Sequence, residues 1–313
     1  MPDRSGKIVL FGAAGLVGQN LVLLLQEQGF RDLVAVDKHP ANVATLRRLH
    51  PKVKVIEADM ADSGAWEEAC VGAAACAMLQ AQIGGEMEEA FRRNNIVATE
   101  RALAAMKRHG VPYLVHVSSS VVNSMARDWY TETKKAQEAL VAQSGIPHVV
   151  LRPTLMFGLF DRKHLGWLSR FMRRLPVFPI PGSGRYMRQP LYARDFCRII
   201  ASCLASRTTG AYNITGREKV DYVDIIRGIK HVTGARAAIL HIPYTAFWIM
   251  LKVYGLAIPN APFTTKQLKA LVTPDEFELI PWWDIFDIRP TPFGTALTET
   301  FGPGPYSDVT LEF

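Results

Sequence analysis

Residues 8–18, "IVLFGAAGLVG", confine this chain more than any other stretch. An apolar run from Ile8 to Phe11 ends in Gly12, Gly15 and Gly18, spaced G-x-x-G-x-x-G, and a helical period from Val17 to Gln28 follows. Glycines at such a strand-to-helix turn permit a tight bend, and they let a pyrophosphate approach the backbone N–H groups at the positive end of the helix. A second apolar run, Leu33 to Val36, ends at Asp37, 19 residues after Gly18. A carboxylate at about that spacing accepts hydrogen bonds from an adenosine ribose. It would repel a 2′-phosphate, so the pattern favours NAD over NADP. The third run, Val53 to Ile56, leads into "IEADMAD" and places Asp59 where an adenine amino group could be contacted. Capping a helix is the alternative duty for both carboxylates.

Further short apolar runs follow at Ala74 to Leu79, Leu114 to Val117 and His148 to Leu151, separated by helical periods. This alternation specifies an α/β fold with a doubly wound parallel sheet, covered by helices on both faces, and makes each strand end a candidate site. The 313 residues allow one large domain or two smaller ones. With 49% apolar and 21% charged residues, the composition is that of an ordinary globular protein. A net charge of +7 suits an anionic small molecule and is too modest to indicate nucleic acid. Cys70, Cys76, Cys197 and Cys203 have no C-x-x-C spacing and no histidine pairing, so neither a metal site nor a disulfide framework is expected. The N-terminus reaches its glycine turn after only a short apolar run, which reads as a first strand and not a signal peptide. A cytoplasmic location is the expectation.

The stretch "LVHVSSSVVNSMARDWYTETKKAQ", residues 114–137, carries the candidate chemistry. Tyr130 and Lys134 stand at i and i+4, so a helix starting near Asp128 puts both side chains on one face. Tyrosine is a poor base at neutral pH, and a neighbouring cation would favour its phenolate. A serine from the strand end could hold a substrate hydroxyl against the phenol oxygen while a proton leaves. A Y-x-x-x-K pair is also common on solvated helix faces, so its meaning depends on the rest of the chain.

The motifs "GAAGLVG", Asp37, "ADMAD", "NNIVAT" with Asn95, "VHVSSS", Tyr130 with Lys134, "LRPTLMFG" and "GRYMRQPLYARDF" follow one another over about the first 215 residues. In this order they resemble the extended short-chain dehydrogenase/reductases, specifically the NAD-dependent epimerase/dehydratase group acting on nucleotide sugars. The resemblance implies a Rossmann NAD domain over 1–158 to which 185–215 returns. A smaller, mainly helical substrate lobe would comprise 159–184 and 216–313. It implies catalysis by Ser119, Tyr130 and Lys134, with Ser120 as the fallback serine at the substrate. The cofactor would lie against Gly12, Gly15, Leu16, Val17 and Gly18 of the first turn, Asp37 and Lys38 of the second, and Asp59 and Met60 of the third. Gln80, Ala81, Asn95, Tyr130, Lys134 and Pro153 would complete its site. The activity implied is epimerisation of a hydroxyl stereocentre on a nucleotide- or lipid-diphosphate-linked sugar through a keto intermediate. A one-way dehydrogenase or ketoreductase with the same residues is the alternative, and a non-catalytic NAD-binding scaffold is the third. Two departures stand out. Ser119 and Tyr130 are only 11 residues apart, and "FGLFDRKHLGW" replaces the usual "YGP" segment.

Between Asp161 and Arg188 lie seven cations, from Arg162 to Arg188, against the single acid Asp161. Such a run is usually a solvated face, yet the resemblance puts Arg188 where an arginine binds the substrate diphosphate, with Arg185 nearby. Bidentate guanidinium geometry suits phosphate. The segment 239–259 is the most apolar in the chain, but Pro243, Lys252, Gly255 and Pro259 interrupt it. A buried or lid helix, a membrane-surface helix and a spanning helix are its three readings; the second would allow peripheral membrane contact. A homodimer is compatible with all of these.

Overall fold

The computed structural model describes residues 6–161, 163–257, 264–273 and 277–312. Arg162 and the end of the apolar segment at 258–259 lie outside them. Six strands come from the front half: β1 (Lys7–Phe11), β2 (Leu33–Asp37), β3 (Lys54–Glu57), β4 (Ala73–Met78), β5 (Leu114–Val117) and β6 (His148–Pro153). With Gly210–Ile214 they form one seven-stranded sheet in the order Gly210–Ile214, β6, β5, β4, β1, β2, β3, every neighbouring pair parallel. Parallel strands buried on both faces read as unbroken apolar runs. In β1, Ile8 and Leu10 enter one core with Leu21, Leu25, Val115, Leu151 and Phe196. Val9 and Phe11 point the other way, among Trp66, Met78, Ala102 and Met106. Helices α1 (Leu16–Glu27) and Ala193–Ser206 therefore cover one face, and Ala98–Arg108 with Trp129–Gln143 covers the other.

The chain runs outward from β1 through β2 to β3, then returns to lay β4 on the other side of β1. That reversal opens a crevice beyond the carboxyl ends of β1 and β4, where open parallel sheets bind their ligands. The back half builds two further cores. Phe157, Leu165, Ile225, Ile229 and Leu297 join helices His164–Arg174, Tyr222–Thr233 and Phe293–Phe301. Phe178, Ile180, Tyr222, Val223 and Ile226 seat a two-stranded parallel ribbon, Val177–Pro181 with Ala238–Ile242.

The apolar segment 239–259 divides at Pro243: the ribbon strand ends at Ile242 and a helix, Tyr244–Ala257, follows. Only Phe247 and Leu251 of that helix are buried, packed on Leu268 of helix Thr265–Val272. The buried-helix reading fails because one apolar stripe suffices for that contact and the rest of the circumference faces outward. Among the described residues no helix is long and apolar enough to cross a membrane.

The C-terminal segment returns to the sheet. Trp282 and Phe286 enter the first core, the Trp282 indole N–H donating to the Thr215 carbonyl at 2.9 Å. Asp195 accepts from the Thr291 backbone and hydroxyl. Near the end of the chain, the Glu312 N–H donates to Asn42 Oδ1 and its carbonyl accepts from Asn42 Nδ2, both at 2.7 Å.

Candidate active site

The crevice is built by close backbone approach. Gly12 has φ +75°, and a Cβ there would stand 2.5 Å from the Gln80 backbone nitrogen. One on Gly18 would stand 2.3 Å from the Ala13 carbonyl oxygen. A Cβ on Gly15, the N-cap of α1, would come no nearer than 3.7 Å to another part of the chain, so the space over the helix start stays open. Leu16 and Val17 form the first turn of α1. Asp37, the last residue of β2, accepts from Ala14 N–H at 2.9 Å and from His39 N–H at 3.0 Å, which aims its carboxylate along the glycine turn. Asp59 accepts from Ala61 N–H at 3.0 Å, from Lys38 at 3.2 Å and from Arg93 at 3.2 Å; Met60 beside it is buried. Burial would raise the Asp59 pKa, but the Ala61 N–H and the two cations outweigh it and hold the carboxyl below its usual value.

Gln80 and Ala81 follow β4 directly. The Gln80 side-chain amide has no hydrogen-bond partner on either atom, nor has the Ser118 hydroxyl. A buried amide left unpaired is costly. The open helix start, the carboxylate at the end of β2 and this unpaired amide fit a dinucleotide. Asn95 has another duty: its carbonyl oxygen accepts from Gln82 N–H at 2.7 Å, and its amide donates to the Gln82 carbonyl and to Thr133 Oγ1 at 3.0 Å. It ties the loop after β4 to the helix carrying Tyr130.

That helix, Trp129–Gln143, starts where the spacing predicts. Asp128 is its N-cap, accepting from Thr131 N–H at 2.9 Å and from the Thr131 hydroxyl at 3.1 Å. Losing such a cap costs about 0.5–2 kcal/mol. Ser119 closes the strand end, accepting weakly from Val121 N–H at 3.4 Å, with its hydroxyl close enough to Tyr130 to pull on the phenol's ionisation. Ser120 opens a short helical turn, Ser120–Asn123, and is partly exposed. Lys134 is fully buried and donates to the Val117 carbonyl at 3.0 Å. Burial pushes its pKa down to about 7, against the opposing pull of Glu138. Burial likewise raises Tyr130, the Ser119 hydroxyl offsetting part of the shift. The expected effect, a lysine cation lowering the tyrosine, is therefore not the balance in the protein alone, where desolvation dominates both groups. His116, on β5 beneath them, is fully buried with neither ring nitrogen partnered; burial, then Lys134, hold its pKa far down and keep it neutral. Pro153, buried at the end of β6, closes this side.

Two residues beyond Pro153 the chain enters a cavity of about 590 Å³, walled by Leu155, Leu165, Trp167, Leu168, Tyr222, Ile225, Leu271 and Phe277, with Lys163, His164, Arg188, Gln189 and Gln267 as polar members. Arg188 is buried there, and its guanidinium donates to the carbonyls of Thr273, at 2.7 Å, and of Leu271. Arg185 lies outside this wall, exposed on the turn before it. The cavity walls escaped sequence reasoning because they come from five separate segments, and only the amphipathic period of His164–Arg174 hinted at them. Arg93 and Asn94, which join Lys38 around Asp59, escaped it too; "RRNN", two cations beside two amides, was the available signal.

A parallel sheet with a glycine-lined switch point and a Ser–Tyr–Lys cluster at the next strand end defines a Rossmann-type dinucleotide enzyme. The model of the "NAD dependent epimerase/dehydratase family" matches residues 8–215, and the chain belongs to that family. Its cofactor is NAD. A ceramide reductase of Caulobacter vibrioides is 25% identical over 248 residues, covering 77% of this chain and 75% of that one. A 3 beta-hydroxysteroid dehydrogenase/Delta 5-->4-isomerase of Mycobacterium tuberculosis is 28% identical over 185 residues, about half of each chain. Among solved structures, UDP-glucuronic acid 4-epimerase from Bacillus cereus in complex with NAD shares the fold with a TM-score of 0.70 at 19% identity, over 94% of this chain and 97% of that one.

Proposed function

We propose that this protein is an NAD-dependent oxidoreductase that interconverts a secondary alcohol and a ketone on a substrate whose larger part is apolar. The observation that carries the reading is the cavity beyond β6. Its walls are mainly leucine, isoleucine and aromatic side chains, and Arg188 on that wall is already engaged with the carbonyls of Met187, Leu271 and Thr273. Such a volume suits a small ligand held chiefly by apolar contact and oriented by a few polar groups. Exposed apolar residues at the carboxyl edge of the sheet, Ile83 and Met87 after β4 and Met125 and Trp129 before Tyr130, extend that character. Relatives named for ceramide and steroid substrates support the same class.

NAD, when bound, accepts or returns a hydride at the substrate carbon. Gly12 and Gly18 keep the turn tight, Gly15 leaves the helix start open, and Asp37 and Asp59 take the adenosine end. Tyr130 takes the hydroxyl proton during oxidation or supplies it during reduction. Ser119, beside Tyr130 at the strand end, holds the substrate oxygen within reach. Lys134, buried on the Val117 carbonyl, gives the tyrosine a cationic neighbour once protonated. The short stretch between Ser119 and Tyr130 keeps this side of the site small.

The second reading is the epimerase of a diphosphate-linked sugar that the resemblance implies, favoured by Arg188 lying on the cavity wall. It needs Arg188 to give up its carbonyl partners for phosphate. The two readings separate when purified protein is incubated with long-chain and sterol-like ketones and alcohols and with UDP- and dTDP-sugars, while the NADH absorbance band and sugar composition are followed. Stoichiometric NADH change with an apolar compound is the expected result. An inert apolar panel, with a sugar epimerised and no net NADH, would overturn it.

A further inference from the structure

Helix Tyr244–Ala257, "YTAFWIMLKVYGLA", has apolar residues around its whole circumference. A helix of that composition is ordinarily buried. Here only Phe247 and Leu251 are covered, while Trp248, Ile249, Met250, Val253, Tyr254 and Leu256 are between 39% and 88% exposed. The neighbouring ribbon adds Val177 and Leu240, and Leu175 precedes it, all at least 40% exposed. A helix left this apolar and this exposed marks a contact surface, since soluble chains rarely leave one uncovered.

The charges around the patch identify what covers it. Neither 163–185 nor 238–257 contains an aspartate or glutamate. Arg173, Arg174 and Arg185 are exposed, and the Lys252 ammonium lies 5.2 Å over the Trp248 ring. A second copy of the chain meeting this face about a twofold axis would set these cations against themselves. An anionic lipid surface matches both the apolar face and the charge. At 14 residues the helix is roughly 21 Å long by the 1.5 Å rise per residue, short of the ~30 Å hydrocarbon core. It can lie along a bilayer without crossing one.

We propose that helix Tyr244–Ala257, with the ribbon edge and Arg173 and Arg174, seats this protein on an anionic lipid bilayer. The helix is one layer from the cavity. Phe247 and Leu251 pack on Leu268, and the same short helix, Thr265–Val272, presents Gln267 and Leu271 to the cavity. An apolar substrate thus has lipid on one side of this helix pair and its pocket on the other. The docking is independent of which reaction the site performs.

The test mixes the full-length protein with vesicles of phosphatidylcholine alone, or with about one third phosphatidylglycerol, at low and physiological salt. Bound protein is measured by sedimentation. Wild type should bind the anionic vesicles at least tenfold more tightly than the zwitterionic ones. Ile249→Glu with Val253→Glu should lower that binding at least tenfold, with NAD affinity and thermal unfolding unchanged. Arg173→Glu with Arg174→Glu should weaken it and flatten its salt dependence. Wild type remaining in the supernatant with anionic vesicles at low salt would overturn the proposal. So would undiminished binding of the Ile249→Glu, Val253→Glu pair. A wild-type dimer that this same pair dissociates would also overturn it, by showing that a second copy covers the helix.

Discussion

The dinucleotide crevice and the cavity beyond β6 sit at neighbouring edges of one molecule but are built in opposite ways. In the crevice, function demands contact. Added Cβ atoms at Gly12 and Gly18 would come within 2.5 Å of backbone, and the carboxylates of Asp37 and Asp59 are fixed by N–H donors. In the cavity, function demands room, and the walls are ordinary leucines and aromatics set back from one another. Contact restricts residue type position by position, whereas volume restricts only the sum. The first half of the chain therefore specifies its ligand narrowly, and the second specifies only a chemical class.

The sharpest break between the two regions comes from Tyr130→Phe. Positioned acid/base groups contribute about 10² to 10⁴-fold in rate. Turnover should fall by that order while NAD affinity, measured by titration, stays put. A variant turning over near the normal rate would detach the chemistry from the crevice.

Next in size is the burial of Lys134. Its folded pKa of about 7 lies below the unfolded value of 10.5. The unfolded chain therefore holds the extra proton between these values, and stability rises as pH climbs from about 7 toward 10.5. The gain is on the order of a few kcal/mol. Urea unfolding at pH 6, 8 and 9.5 should show the rise in wild type and its loss in Lys134→Met. Parallel pH dependence in the two proteins would remove Lys134 as its source.

Arg188→Ala probes the cavity side. It leaves the Leu271 and Thr273 carbonyls without their charged donor, and hydrogen bonds to charged groups contribute about 1.5–3 kcal/mol. Loss of stability of that order, with NAD affinity unchanged and apolar-ketone reduction impaired, marks a wall support. A rise confined to the Michaelis constant for a UDP-sugar would restore the diphosphate reading.

The smallest effect is expected at Asp37→Asn. Removing charge but keeping shape should weaken NAD by about three- to tenfold, the worth of a hydrogen bond of about 0.5–1.5 kcal/mol, and narrow its advantage over NADP. Equal NAD affinity in the two proteins would leave Asp37 as a support of the glycine turn alone.

Contact and room also explain what could be read beforehand. Strands β1, β2 and β4 to β6 were legible because a parallel strand buried on both faces has to be an apolar run; β3, at the sheet edge and only partly covered, was legible from the short run Val53 to Ile56 alone. The seventh, Gly210–Ile214, was not: it is an edge strand of sequence "GAYNI", exposed over its first two residues. The start of the Tyr130 helix was legible because Asp128 is a cap whose side chain satisfies a backbone N–H. Arg188 was legible as a cation on the substrate side, but nothing in its sequence says whether a guanidinium faces phosphate or carbonyl. That choice depends on where residues 271 and 273 return, more than 80 positions later. The helix at 244–257 was legible as apolar, but its exposure was not, because burial depends on what the tertiary packing brings against it.

The pairing of Asn42 with Glu312, 270 positions apart, together with Trp282 seated under Thr215, sets the order in which the molecule can be completed. During synthesis the amino-terminal strands emerge first and begin to assemble. The part of the first core reached by Trp282 and Phe286, however, stays open until their segment has left the ribosome. The nascent nucleotide half must therefore wait, partly open, for nearly the whole chain, and a ribosome that stalls late releases an unfinished sheet rather than a finished first domain.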